Sequence, residues 1–294
     1  MALMSKVRTF MEHNMVLAWL VPQIQKTGIP RKIRDICEPF QRNKGRSERE
    51  AFSLLYQEQK DKFERVRGLL EDEFSRKTYD HVIQYRLTGD RKLIKQVFVL
   101  PQYFQRDIFA PKDREVFVDG GGYIGDTVIS FIDHFAAGDH WSVYTWEPDE
   151  NSLSAMDKML RQPKYSGFRD RIHTVKYGMW SERTILKFKS TGGTDTQVSE
   201  SGDTDVPVNS IDNVHKDHTV TLIKMDIEGA EVEALKGAKA VIQRDKPRLA
   251  ICIYHRPTDL FEIPLLIKEM VPEYKLYVRH HADTVFETVV YATI

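Results

Sequence analysis

The stretch Val116-Phe117-Val118-Asp119-Gly120-Gly121-Gly122-Tyr123-Ile124-Gly125-Asp126-Thr127 constrains the chain more than any other. An apolar, β-branched run stops at an acid and breaks into glycines. A second apolar stretch then runs from Thr127 to Phe135. That order predicts a strand, a tight turn and a helix. Glycine lets the backbone turn sharply and lie close to a ligand, because no Cβ stands in the way. The first helical turn adds unpaired N–H groups at the same place. Such a cradle predicts an α/β sheet that binds a nucleotide-like ligand.

Two ligands compete for it. Gly120, Gly122 and Gly125 satisfy G-x-G-x-x-G, and Glu147 follows at roughly the interval of a dinucleotide fingerprint. The same residues also read Asp119-x-Gly121-x-x-x-Gly125, the loop of methyltransferases that use S-adenosylmethionine (SAM). Charge separates these readings. A pyrophosphate needs N–H donors with no carboxylate nearby, whereas SAM carries an ammonium and a sulfonium. Asp119 and Asp126, bracketing the turn, favour SAM. An NAD-dependent oxidoreductase or sugar-nucleotide enzyme is the alternative, and a bare glycine turn without ligand is the bland one.

Composition bounds the rest. The 43 basic and 43 acidic residues cancel, so the overall balance predicts neither a nucleic-acid nor a membrane partner. Cys37 and Cys252 are too few for a disulfide scaffold, and Cys252 sits in a strand-like run as a reduced core residue. The apolar run Met15 to Val21 is far short of a membrane span, ends at Pro22 and lacks a small-residue cleavage site. A cytoplasmic location is expected.

Residues 1–100 read as a helical N-terminal region, and 101–294 as the ligand-binding domain. Ser47 to Leu70 carries apolar residues at helical spacing. Ser75 is expected to cap a helix that stops near Gly89, and 22–46 reads as a linker. From Val116 strand-like runs appear at Phe117–Asp119, Ser142–Trp146, Ile172–Lys176, Leu222–Met225 and Arg248–Ile253. Helical segments lie at Thr127–Phe135, Asn151–Leu160 and Val232–Arg244. This alternation predicts parallel βαβ units. Tyr274–His280 and Glu287–Ala292 read as a hairpin that finishes the sheet, as in class I methyltransferases rather than nicotinamide dehydrogenases.

Ligands of an open parallel sheet bind outside the carboxyl ends of its strands. Asp119 ends the first run. Glu147, before Pro148, ends the second and could accept hydrogen bonds from both ribose hydroxyls. Near the third, Gly178 could let an adenine approach the backbone and Trp180 could stack on it. The fourth is the richest, Ile223-Lys224-Met225-Asp226-Ile227-Glu228-Gly229-Ala230-Glu231. Strand alternation would put Lys224, Asp226 and Glu228 on one side, with a carboxylate taking a proton while Lys224 keeps another ionised. A salt-bridged helix start is the competing structural reading. A divalent metal at Asp226 is conceivable, but no spacing demands one, so no metal is expected. The fifth run delivers His255 as a general base and Arg256 as an anion holder.

Together these blocks resemble the FkbM family of SAM-dependent methyltransferases. The resemblance rests on Val118–Thr127, Trp146-Glu147-Pro148, Val208-Asn209-Ser210-Ile211-Asp212, the Lys224–Glu231 block with Leu235-Lys236-Gly237-Ala238, Tyr254-His255 and Glu287–Tyr291, over roughly residues 65–294. It implies a Rossmann-like class I fold: a mostly parallel seven-stranded sheet with a C-terminal antiparallel hairpin. It also implies O-methylation of a polyketide, sugar or other specialised metabolite, or N-methylation of side-chain amides of a modified peptide. The cofactor residues would be Asp119, Gly120, Gly121, Gly122, Tyr123, Gly125, Asp126, Thr127, Glu147, Pro148, Gly178, Trp180 and Asp226, with Tyr103 closing over the methionine end. Asp226, Glu228, His255 and Lys224 would form the catalytic edge. The acid or amide that many class I enzymes carry after the third strand is absent around Gly178. The resemblance does not reach residues 1–65, which are expected to cover the acceptor or form a dimer contact.

Overall fold

The structure, a computed structural model, describes residues 47–190, 196–198 and 204–294. The apolar run at 15–21, the 22–46 linker and Cys37 lie outside the described residues. Phe52–Ile185 with Val206–Ile294 form one compact unit, and Met1–Ala51 with Leu186–Asp205 fall in a second. Among the described residues no helix is long and apolar enough to cross a membrane.

The larger unit begins with helices α1 (Lys60–Leu69), α2 (Glu73–Thr88) and α3 (Arg91–Lys95). The helix expected over 47–70 is interrupted by a turn at Gln59. Ser75 is not the cap of α2. The Asp72 carboxylate accepts the Ser75 N–H at 2.5 Å, which leaves the Ser75 hydroxyl to accept from the Val278 N–H at 3.0 Å. The expected stop at Gly89 is present, in the left-handed conformation at φ 78°.

Next come β1 (Arg114–Gly120), α4 (Asp126–His134), β2 (His140–Trp146), α5 (Glu150–Leu160) and β3 (Ile172–Val175). An excursion follows: β4 (Gly178–Met179), β5 (Thr184–Ser190), β6 (Thr196–Val198) and β7 (Thr204–Asn209). Its short Thr- and Lys-bearing stretches lack a sustained apolar alternation, so the sequence does not announce these strands. Within the larger unit β4 runs parallel to the end of β7, Gly178 opposite Val208. In the second unit the end of β5 pairs antiparallel with β6.

The chain then returns through α6 (Ile211–Val214), β8 (Leu222–Met225), α7 (Glu231–Lys236), α8 (Lys239–Asp245), β9 (Arg248–Cys252), α9 (Asp259–Met270), β10 (Lys275–His280) and β11 (Thr288–Thr293). The helix expected over 232–244 is thus two short ones. They part at Gly237, where a Cβ would collide with the Trp180 carbonyl oxygen.

The main sheet has seven strands in the order β10-β11-β9-β8-β1-β2-β3. Its pairings from β3 to β9 are parallel, and β11 runs antiparallel to both β9 and β10, so it is the one reversed strand of the sheet. This is the expected class I methyltransferase fold. One face carries Phe63, Tyr79, Phe261, Ile223 and Ile251, with the Phe63 and Phe261 rings 5.0 Å apart. The other carries Phe104, Phe117, Phe131 and Trp141. Burying one such ring stabilises the fold by about 1.5–3 kcal/mol, so both faces are anchored by their aromatic residues. The helices before β1 share the first of these cores. Cys252 is buried and unpaired, as expected.

Candidate active site

The turn after β1 is closed by packing. Gly121 has φ +76°, and a Cβ there would strike the Asp226 carbonyl oxygen. A Cβ on Gly122 would strike the Thr145 hydroxyl, and one on Gly125 (φ +86°) would lie 2.7 Å from Met156 Cγ. The glycines are therefore demanded by neighbouring protein atoms, where the sequence reading had a ligand in mind. Tyr123 and Asp126 are exposed at the turn, and Thr127 is buried at the start of α4.

Asp119 departs from its expected place. Its side chain is 0% exposed, 3.2 Å from Lys224 Nζ, and accepts the Thr145 hydroxyl at 3.3 Å. Burial pushes its carboxyl upward against the pull of Lys224. Burial likewise works against the Lys224 ammonium, but Asp119 and Asp226 outweigh it and hold the proton firmly. The ammonium also donates to Gly120 O at 2.9 Å and Gly121 O at 3.1 Å. Three oxygens around one ammonium favour the ionised pair. Asp119 consequently forms no negative rim for a cationic ligand, and Lys224 does not stand on the acceptor side. Both brace the turn from beneath.

Glu147 fits its expected place at the end of β2. Its Oε2 accepts the Tyr123 N–H and its Oε1 the Asp149 N–H, each at 2.9 Å. Each oxygen keeps a second lone pair for a ligand hydroxyl. Burial raises its pKa. Pro148 follows, half-buried. Gly178 and Trp180 lie elsewhere than expected. β3 stops at Val175, so Gly178 sits in β4 and the Trp180 N–H donates to Asn209 O at 2.9 Å. Met179 between them packs beneath Gly120.

The expected grouping of Lys224, Asp226 and Glu228 on one side does not form, because β8 ends at Met225. The next residues turn outward, with Glu228 at φ +56° and Gly229 at φ +90°. Asp226 meets His255 there, Oδ1 to Nε2 at 3.3 Å, and Glu228 Oε2 lies 3.5 Å from the same nitrogen. Glu231 Oε1 approaches His255 Nδ1 at 3.0 Å. Burial works against the His255 proton, yet Asp226 and Glu231 raise its pKa to about 11. Burial would raise Asp226, but His255, Lys224 and Tyr254 hold it well below the carboxylate range.

Tyr103, expected to close over the methionine end, contacts Asp226, and several other contributors carried no role in the sequence. The Tyr103 hydroxyl donates to Asp226 Oδ2 at 2.8 Å, so this residue reaches the acceptor edge. Tyr254 donates to Asp226 Oδ1 at 2.7 Å. Glu287 accepts the side-chain amide of Gln102. A relay then holds Tyr103: its N–H donates to Tyr291 Oη at 3.0 Å, and Tyr291 lies 2.8 Å from His281 Nε2. His281 Nδ1 is 2.8 Å from Val99 O, so the neutral imidazole donates there and accepts from Tyr291. Burial lowers the His281 pKa to about 4, which keeps the ring neutral. Tyr254 had been read only as a neighbour of His255, and the relay joins segments too distant in sequence for any local pattern to show.

Comparison with known proteins identifies the family. The family model described as Methyltransferase FkbM domain matches residues 107–279, more than half of the chain. A crystal structure of the methyltransferase FkbM from Methylobacillus flagellatus KT is similar at TM-score 0.70 and 29% identity, over 81% of this chain and 59% of that one. The chain thus spans less than two thirds of that relative's length. An rRNA methylase from Streptococcus thermophilus (TM-score 0.37, 12% identity, 62% of this chain and 87% of that one) is far more distant. So is fibrillarin from Aeropyrum pernix in complex with S-adenosyl-L-methionine (TM-score 0.38, 11% identity, 62% and 67%). Neither likeness is close enough to argue from. No curated protein matches the chain. The dinucleotide alternative falls with the family match and with the hairpin-finished sheet, and this chain belongs to the FkbM family of SAM-dependent methyltransferases.

Proposed function

We propose that the chain methylates a hydroxyl group of a specialised metabolite, a polyketide or a sugar. The observation that carries this reading is the meeting of Asp226, Glu228 and His255 beyond β8 and β9, beside the glycine turn. The Asp226 N–H donates to Gly120 O at 3.2 Å, so acceptor edge and cofactor turn adjoin. Carboxylates accept hydrogen bonds from hydroxyls, and the Tyr254 and Phe286 rings, 5.9 Å apart, give the edge an aromatic flank. That mixture suits an oxygenated, partly apolar acceptor.

SAM fits the turn. Glu147 offers its spare lone pairs to ribose hydroxyls, and the N-terminus of α4 lies against Gly125. When bound, SAM supplies an electrophilic methyl group that an acceptor oxygen takes in line. The chain's own residues align and desolvate that oxygen, an effect on the order of 7 kcal/mol. Tyr103 and Tyr254 fix Asp226. Glu228, 41% exposed, is the carboxylate of the group with most access to solvent and takes the acceptor proton late.

Incubation with labelled SAM and a panel of hydroxylated metabolites tests this. A labelled methyl ether in the product supports it. Labelled N-methyl amides would move the reading to amide nitrogen, and cofactor binding without transfer to any acceptor would end it.

A further inference from the structure

We propose that Asp226, Glu231 and His255 form a binding site for a divalent first-row transition-metal cation at the acceptor edge. The inference rests on the reading of that edge as the acceptor side, and it adds a component that reading does not contain.

Each of the three residues offers one ligand atom, and the three atoms lie within 4.8 Å of one another. Two ligands at right angles about one such ion, each roughly 2.1 Å from it, stand about 3 Å apart. His255 Nδ1 lies 3.0 Å from Glu231 and its Nε2 3.3 Å from Asp226, so either nitrogen is at such a separation from a carboxylate oxygen. These contacts pair the ring electrostatically with both carboxylates, but not with the direction of well-formed hydrogen bonds. Neither ring nitrogen of His255 makes a hydrogen bond of acceptable geometry, although carboxylate oxygens stand close by. The two carboxylates meet different ring nitrogens, so a cation shared by all three residues takes one nitrogen and displaces its proton.

Glu231 provides an independent observation. Its side chain is 0% exposed, and Oε2 has no hydrogen-bond partner. A buried carboxylate oxygen left without a donor is costly. Its other oxygen is already held, accepting the Ile227 N–H at 2.9 Å. Asp226 is braced in the same way by the hydroxyls of Tyr103 and Tyr254, which leave a lone pair on each oxygen. Hydrogen bonds of this kind orient metal ligands. In addition, Glu228 brings a third carboxylate within 3.5 Å of the single imidazole. Nitrogen together with carboxylate oxygen suits Mn²⁺, Co²⁺ or Zn²⁺ better than Ca²⁺. A cation there draws the acceptor oxygen and eases loss of its proton to Glu228.

The test uses the full chain, stripped with a chelator and titrated with MnCl₂ while the free-ion paramagnetic resonance signal is read. About one equivalent should bind. Binding should weaken at least about 10-fold in His255→Ala and in Glu231→Gln. Glu231 also holds the Ile227 N–H, so circular dichroism checks its fold, and His255→Ala serves as the second variant. SAM binding, measured by calorimetry on the same samples, should persist in His255→Ala. Failure of the wild-type chain to bind Mn²⁺ overturns the proposal, as does unchanged affinity in both variants. Methyl transfer that runs unaltered in chelator overturns the cation while leaving hydroxyl methylation standing.

Discussion

Lys224 and Asp226 stand two residues apart, yet they serve opposite ends of the protein's physical chemistry. Lys224 is 2% exposed and faces one carboxylate and two backbone carbonyls. Asp226, 22% exposed, faces two tyrosine hydroxyls and an imidazole at the edge beside the glycine turn. In the first region the charges are matched and enclosed, so removing one strands the other. In the second, three carboxylates crowd one histidine. A matched pair holds a shape; a mismatched group is available for chemistry.

Breaking the enclosed pair should have the largest effect on stability. Asp119→Asn leaves the Lys224 ammonium without its counter-charge, and should cost about 3–5 kcal/mol in urea unfolding. A loss below ~1 kcal/mol would mean that the two regions do not differ in kind.

Acid should come next, through the relay behind Tyr103. Above about pH 6.5 His281 is neutral in both folded and unfolded chains. Below that the unfolded chain takes up a proton, while the native chain, with this pKa lowered to about 4, does not. Stability therefore falls from pH 6.5 down to 4, by up to about 3 kcal/mol from this residue. Urea midpoints at pH 7.5 and 5 measure it, and His281→Gln should flatten the difference.

Gly121→Ala should cost about 1–3 kcal/mol, because the added Cβ meets the Asp226 carbonyl in a left-handed backbone. It should weaken SAM binding in calorimetry, since the turn must move. Smallest in stability is Glu228→Gln, expected within about 0.5 kcal/mol of wild type. Its methyl transfer, in contrast, should slow by roughly 10²-fold to 10⁴-fold. Loss of stability without loss of turnover would reverse the roles assigned to the two regions.

The same contrast explains what could be read in the sequence. Period and punctuation revealed the seven main strands, because apolar runs, glycines and helix stretches are local signals. They also marked Glu147, Asp226, Glu228 and His255 as residues at strand ends. They could not reveal that Asp119 would be sealed. Asp119 and Lys224 are opposite each other in the β1–β8 register, a fact that belongs to two strands at once. An acid before glycines looks like a rim charge until its partner strand is laid beside it. Likewise, alternation was extrapolated past Met225, where the ladder had already ended. Tyr254 and His281 were missed because their importance lies in where their hydroxyl and imidazole point.

The contacts between Gly120, Gly121 and Asp226 have one more consequence. With an amide of one loop on a carbonyl of the other, and no room for even a methyl group between them, the halves of the cleft are mechanically one piece. Whatever displaces Gly120 and Gly121 must therefore carry Asp226 with it.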